Sequence, residues 1–401
     1  MESFDERLLG PLTRTGGNFF TFVAALLAVE AWAAFAWWTQ VSYGFQVTGL
    51  NNTVVWGLYI ANFVFLIGIS HAGILISATV RILKLRRYRP VARMAEVLTL
   101  VSLVMAVLSV VADLGRPDRW YNMLLSIQIS SPLAWDFTFI ALYFTLSALY
   151  LFLSLRDDIA RCEGSAAWRR GLFRLLMRIY DKVTPRDHEK YEGMLNRFAL
   201  VVLPFPVFGS GMVVPFIFSV LVAKPTWNVP FFGPYFLSAL FRRVYDWEEV
   251  LRPEVFRGLG DIMIVLIPVY VYFTFLEQFT SQYVRAATEL AVSDYLLSGP
   301  YALIFWSMVI FGFIVPFFVL IASRSRTVNG VYLAALMVSI GLWIKRVIIV
   351  VPTLVQPNLP FDIGSYNPTW VEWSVLVGIF AFGALLYSMF VKLFPIIELD
   401  I

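Results

Sequence analysis

Metal-binding side chains are scarce in this chain of 401 residues, which holds one cysteine, Cys162, and two histidines, His71 and His188. A single thiol builds neither an iron–sulfur cluster nor an internal disulfide, and two histidines in unlike surroundings cannot clamp a haem between helices. Neither haem nor iron–sulfur cluster is therefore expected here, so any electrons arrive on another subunit or on a diffusible carrier. Charge is scarce as well: 14% of residues are charged, against 59% hydrophobic and 17% aromatic. That is too little polar surface to cover a soluble globule. No Walker A, HExxH or GxSxG pattern occurs in the sequence, so hydrolysis is not expected.

What the chain does have is long apolar runs. Runs long enough to cross a bilayer, about 20 residues each, fall near residues 18–42, 53–82, 91–112, 133–155, 195–222, 257–279, 299–322, 328–351 and 370–394. A shorter stretch, 230–241, is ambiguous. The expectation is an all-α, polytopic transmembrane bundle, a single integral membrane domain over residues 1–401. The first run starts near Phe19, is as long as a full span and is followed by many others, so no cleaved signal peptide is expected.

Loop charges orient the bundle, because cytoplasmic loops collect Lys and Arg. Arg81, Lys84, Arg86, Arg87, Arg89 and Arg93 crowd one connection, and the 156–194 connection is also basic. Both are assigned to the cytoplasm, and the N-terminus with them. If 230–241 also crosses, Arg242, Arg243, Arg324, Arg326 and Lys392 fall on that same side. This favours about ten spans, with nine as the alternative. The net charge of +4 follows from this loop pattern, and nucleic-acid binding is not expected. Within 156–194 an amphipathic patch near Leu172–Tyr180 predicts an interfacial helix, and His188 sits there among solvated charges.

The polar residues inside the spans are the candidates for chemistry, since ionisable groups in a bilayer are expensive and tend to be functional. His71 stands alone in GISHAGILISATVRI, with Gly68 and Ala72 on the same helical face, where small residues admit a helix or a flat ligand. Glu30 lies near the centre of the first span and Asp136 near the start of the fourth. Asp113, Arg116, Asp118 and Arg119 gather where the third span ends, beside Trp120 and Tyr121, with Asp113 and Arg116 spaced to pair. Together, Glu30, His71, Asp113 and Asp136 suggest a protonatable ladder, and Asp261 is the best candidate to extend it toward the cytoplasm.

Lys345 and Arg346 sit in GLWIKRVIIVV, where two cations need an answering anion; Glu277, Gln278 and Asp136 are candidates, and Lys345 is expected to snorkel. In the loop that follows, Tyr366, Trp370 and Glu372 are placed at the membrane interface.

Taken together, WGLYIANFVFLIGISHAGILISATVRI, RPVARMAEVLTLVSL leading to DLGRPDRW, SSPLAWDF, AKPTWNVPFFGPYFLSAL, GLWIKRVIIVV and YNPTWVEW resemble the NrfD/PsrC-like family. These are the integral membrane subunits of polysulfide-reductase-type and alternative complex III-type oxidoreductases. The resemblance implies two four-helix bundles and a quinone (menaquinone or ubiquinone) near the outer face. It also implies a partner iron–sulfur subunit on that face, with further catalytic or cytochrome subunits and a second NrfD-like subunit as candidate companions. The setting it implies is a bacterial or archaeal cytoplasmic membrane, and the chain is expected to serve as a subunit rather than an autonomous enzyme.

Carried over by position, His71, Asp113, Arg116 and Asp136 would belong to the quinone and proton-handling region of the first half, and Arg346 to its counterpart in the second. With the residues read above, the expected proton handlers are His71, Asp113, Asp136 and Glu30, and the expected quinone region is His71, Arg116, Tyr121, Arg346, Lys345 and Glu277. Where some relatives have a histidine before LGRP this chain has Asp113, and it has Lys345 where some have an acid. Proton translocation is a further expectation. The competing classes are a structural anchor without a quinone site and an ion-coupled transporter.

Overall fold

The computed structural model describes residues 16–162, 170–185, 187–206, 253–322, 327–356 and 363–396. Among these residues the ordered elements are helices and there is no strand. This follows from the sequence pattern, since a chain in hydrocarbon must satisfy each backbone N–H and C=O internally, and a helix does so within one segment.

The long helices are α1 (Gly17–Tyr43), α2 (Leu58–Ile82), α3 (Arg89–Asp113) and α4 (Pro132–Ser154). Three shorter ones follow: α5 (Arg156–Cys162), α6 (Arg170–Val183) and α7 (His188–Val202). Then come α8 (Pro253–Val284), the short α9 (Ala287–Leu297), α10 (Ala302–Ile321), α11 (Val328–Val355) and α12 (Trp370–Leu393). Eight of them are long and apolar enough to cross a membrane, and all eight fall on runs expected from sequence. The ninth run, 195–222, begins within α7; its remainder past residue 206, the 230–241 stretch, Arg242, Arg243, Arg324 and Arg326 lie outside the described residues. So does the choice between nine and ten spans.

Breaks come where the backbone chemistry demands them. Gly44, at φ 75, ends α1 in a conformation that L side chains rarely adopt. Proline opens α3 and α4, where its missing N–H costs nothing. Inside α10 a π turn over Met308–Ile314 precedes Pro316, which cannot donate to the helix ladder.

The antiparallel pair α2 and α3 forms the centre. Around it α4, α7, α11 and α12 pack, and α1 lies against α12. Close approach is built from small residues: a methyl group placed on Gly73 would stand 2.3 Å from Thr99 Oγ1, and one on Gly378 would stand 2.2 Å from Ala33 Cβ. The second group consists of α8, α10 and α11 with α9 across its end. There a methyl group on Gly312 of the π turn would lie 2.7 Å from the Cα of Gly341, so α10 and α11 cross backbone to backbone. We call the end bearing the 83–88 turn the basic end. Lys392 lies over Phe19 at 4.7 Å, which puts the start of α1 and the end of α12 there too.

Candidate functional site

The first half of the bundle holds a column of buried polar groups. Asp136, Tyr143, Ser147, Tyr150 and Ser154 on α4 are spaced seven, four, three and four residues apart, so they fall on one helical face. All are 4% exposed or less. Facing them, α2 contributes Ser70, His71 and Ser77, and α3 contributes Glu96, Thr99 and Ser102, all buried.

His71 sits at mid-depth. The carbonyl of its neighbour Ser70 accepts hydrogen bonds from Tyr143 Oη at 2.9 Å and from Thr99 Oγ1 at 3.1 Å, which fixes the three helices at one level. The imidazole lies 5.2 Å from the Tyr143 ring, centroid to centroid. Tyr143 stacks on Phe205 at 6.4 Å, and Phe139 closes the cluster at 5.5 Å from Phe205. Asp136 is one turn before Phe139 and about 10 Å from Tyr143 along the helix. Neither oxygen of Asp136 has a hydrogen-bond partner, and neither does His71 Nε2. In the same column Ser102 Oγ is without a partner, while Ser147 Oγ lies near Tyr143 and Tyr150 Oη near Ser77 and Arg81 without a well-formed hydrogen bond. Buried polar atoms are costly to leave unsatisfied, so a file of them indicates a place for water or ligand.

Toward the basic end the column turns ionic. The Glu96 carboxylate accepts from the hydroxyls of Ser77 and Ser154, the latter at 2.8 Å. Arg93 pairs with Asp158 and donates to the Ser154 carbonyl at 2.8 Å. Glu96 is about 9 Å past His71, by the six residues from His71 to Ser77. The sequence reading missed it, together with the Ser and Tyr residues of α4. Asp261, which that reading chose for the inner half, is exposed on α8.

The remaining candidates do not converge on His71. Asp113 is at the other end of α3, about 20 Å from the His71 level by the fourteen residues from Thr99. It does not pair with Arg116. Instead Arg116 bonds Asp118 at 3.1 Å on an exposed loop, because the break at Gly115 and Pro117 turns the guanidinium outward. Those bonds hold the Asp118 carboxyl below its usual range. Tyr121 is exposed on the same loop. Asp113 itself feels the charge of Glu372, and its Oδ1 has no partner.

Glu372, in the first turn of α12, and Tyr366, just before it, are buried. The Glu372 carboxylate accepts from Tyr366 Oη and the Gly49 N–H, each at 2.6 Å, and from the Thr369 N–H at 3.0 Å. Tyr366 Oη in turn accepts from the Leu58 N–H at 2.9 Å, so this knot ties the starts of α2 and α12 together. Burial and the neighbouring carboxylate push the Tyr366 hydroxyl up, which keeps it a donor. Trp370 stays exposed. Glu30 is half-buried on α1, with Oε1 unpartnered.

In the second half Lys345 does not snorkel. It is 4% exposed and donates to Glu277 at 2.7 Å, and buried Arg346 feels the same carboxylate. Beside this pair is a cavity of about 30 Å³ bordered by Gln278, Ser281, Glu289, Ser293 and Thr353, room for a water or two but not for a ring. Trp343 Nε1 donates to Asn62 Oδ1 at 3.2 Å, bridging the halves. Among the described residues no three His, Cys, Asp or Glu side chains gather as a metal site.

A family model described as "Polysulphide reductase, NrfD" matches residues 46–358, which takes in α2 to α11 and the whole buried column. The chain belongs to the NrfD family. Its α1 and α12, which pack on each other, flank the NrfD match. The chain is 26% identical to a putative dimethyl sulfoxide reductase membrane subunit of Halobacterium salinarum, over 95% of this chain and 92% of the relative. It is 25% identical to a selenate reductase subunit of Mesobacillus selenatarsenatis, over 89% of each. Identity to the Hdr-like menaquinol oxidoreductase integral membrane subunit of Archaeoglobus fulgidus is 24%, over 95% of this chain and 94% of the relative. These NrfD relatives are named as subunits of reductases and of a menaquinol oxidoreductase, and a quinone-linked membrane subunit is the function class they support.

Proposed function

We propose that this chain is the quinone-reactive membrane subunit of a multi-subunit respiratory or photosynthetic oxidoreductase, and that the reaction takes place beside His71 and Asp136. The observation that carries this is the conjunction of three partnerless acceptor or donor atoms, His71 Nε2 and both Asp136 oxygens, with an aromatic wall of Tyr143, Phe139 and Phe205. Aromatic faces suit a flat ring. An imidazole and a carboxyl suit its two oxygens, since each can exchange a hydrogen bond or a proton with them. Oxidation of a quinol releases two electrons and two protons. His71 and Asp136 receive the protons, and the electrons leave to metal centres on a partner, because one cysteine and two histidines build none here. Menaquinone and ubiquinone both fit this chemistry, and quinone reduction uses the same groups in reverse.

The column below His71 supplies a route for those protons. Ser147 and Tyr150 hydroxyls, with water between them, lead to Glu96 and then to the Arg93–Asp158 pair at the basic end. By the loop-charge rule that end is cytoplasmic, as is the N-terminus, and the iron–sulfur partner docks on the opposite, outer face. Arg116 and Tyr121 belong to that docking surface rather than to the ring pocket.

The test is a lipid extract of the purified complex, assayed for quinone, together with His71→Phe. Bound quinone, and turnover with a quinol reduced 10²–10⁴-fold in an intact complex, are expected. An extract without quinone and unchanged turnover would leave the chain as a structural anchor.

A further inference from the structure

We infer that α6 is a membrane-surface helix whose apolar stripe enters the bilayer at the basic end while its basic residues hold anionic phospholipid headgroups. This inference is independent of the quinone chemistry. Three faces of one helix carry it. At 100° per residue, Phe173 and Tyr180 share a face with Leu176 and Met177, and that face is turned into the protein. Phe173 lies 6.4 Å from Phe394, just past the end of α12, and the Tyr180 ring stacks on Phe152, near the end of α4, at 4.4 Å. Tyr180 Oη donates to the Phe152 carbonyl at 2.7 Å. The helix therefore lies against the basic ends of two spans.

A second apolar face is not needed for that contact. Leu172, Leu175, Ile179 and Val183, about 100° away from the buried face, are 38, 55, 40 and 55% exposed. Four large aliphatic side chains in one stripe would be costly in water. At the ends of membrane spans the neighbouring solvent is lipid. The third face carries Arg174 and Arg178, with Lys182 at the edge of the exposed apolar stripe beside Leu175, all three exposed. Lys84 and Arg87 add exposed positive charge at the same end of the bundle. That arrangement, apolar below and cationic at headgroup height, fits an anionic leaflet, where each basic residue strengthens association about fivefold.

Cys162 is the one cysteine of this chain, so Cys162→Ser leaves the subunit without a thiol, and the complex carrying that change alone serves as the blank for labels placed at single new cysteines. Labels at Leu175→Cys and Ile179→Cys are expected to collide with oxygen and to be shielded from a water-soluble nickel chelate. Labels at Arg174→Cys and Arg178→Cys should do the reverse. Nickel access at residues 175 and 179 would overturn the membrane placement, and shielding from both reagents would show a protein partner instead. In mixed vesicles of phosphatidylglycerol and phosphatidylcholine, Arg178→Gln with Lys182→Gln should reduce the phosphatidylglycerol retained after detergent extraction by roughly fivefold per charge, with phosphatidylcholine unchanged. Equal retention would overturn the headgroup contact.

Discussion

The two halves of the bundle treat buried polarity in opposite ways. Around His71 the first half leaves acceptors and donors unanswered, Asp136 above all. In the second half Lys345 and Glu277 answer each other, Gln278 accepts from Ser293 at 2.9 Å, and the small cavity beside them holds water at most. A charge already matched by its neighbour gains little from a ligand, whereas an orphaned imidazole and carboxyl gain a great deal. The contrast teaches that similar depth and similar charge do not make equivalent sites. On the proposed function, the first half is the one that exchanges protons with a ligand, and the Lys345–Glu277 pair of the second holds its helices together.

The largest effect that would break the comparison is on stability. Lys345→Met strands the Glu277 carboxylate and should cost about 3 kcal/mol, read as a fall in the thermal midpoint of the purified complex. Lys345→Met with Glu277→Met should recover most of it, and turnover per folded complex should persist in both. A large loss of turnover without loss of stability would move the reaction into the second half.

Next comes Asp136→Asn, which keeps shape but removes an exchangeable proton. Turnover is expected to fall about 10²-fold with the midpoint unchanged, the inverse of the Lys345 result. Tyr150→Phe removes one hydroxyl from the column and should slow turnover several-fold, with a larger effect in deuterated water; an unchanged isotope effect would take Tyr150 out of the proton route. The smallest effect is expected from Arg116→Gln. Its exposed pair with Asp118 contributes little, so midpoint and turnover should both stay put, while the Asp118 carboxyl rises toward its ordinary value. A changed turnover would bring that loop into the site.

Much of the fold was legible because a span announces itself by length. Runs such as 328–351 need no tertiary context, and Pro90, Pro132 and Gly44 mark their limits. His71 was legible for a similar reason: one imidazole in an apolar run stands out. The α4 column was harder to see, since serine and tyrosine are unremarkable singly, and only the spacing of Tyr143, Ser147, Tyr150 and Ser154 shows that they share a face. Glu96 was masked by the basic tail before it, and the choice of Asp261 shows the limit of judging depth without knowing which way a helix faces. That Arg116 turns to Asp118 rather than Asp113, and that Lys345 finds Glu277 from 68 residues away, are facts of three-dimensional packing that no local pattern encodes.

The glycine crossing of α10 and α11 has a mechanical consequence. With no side chain between Gly312 and Gly341, those helices meet backbone to backbone within a longer line of contact. Bulk added at that level would meet backbone rather than a flexible side chain, so only a shift of a whole helix could relieve it. Alanine at either position would act as a wedge and force the helices apart.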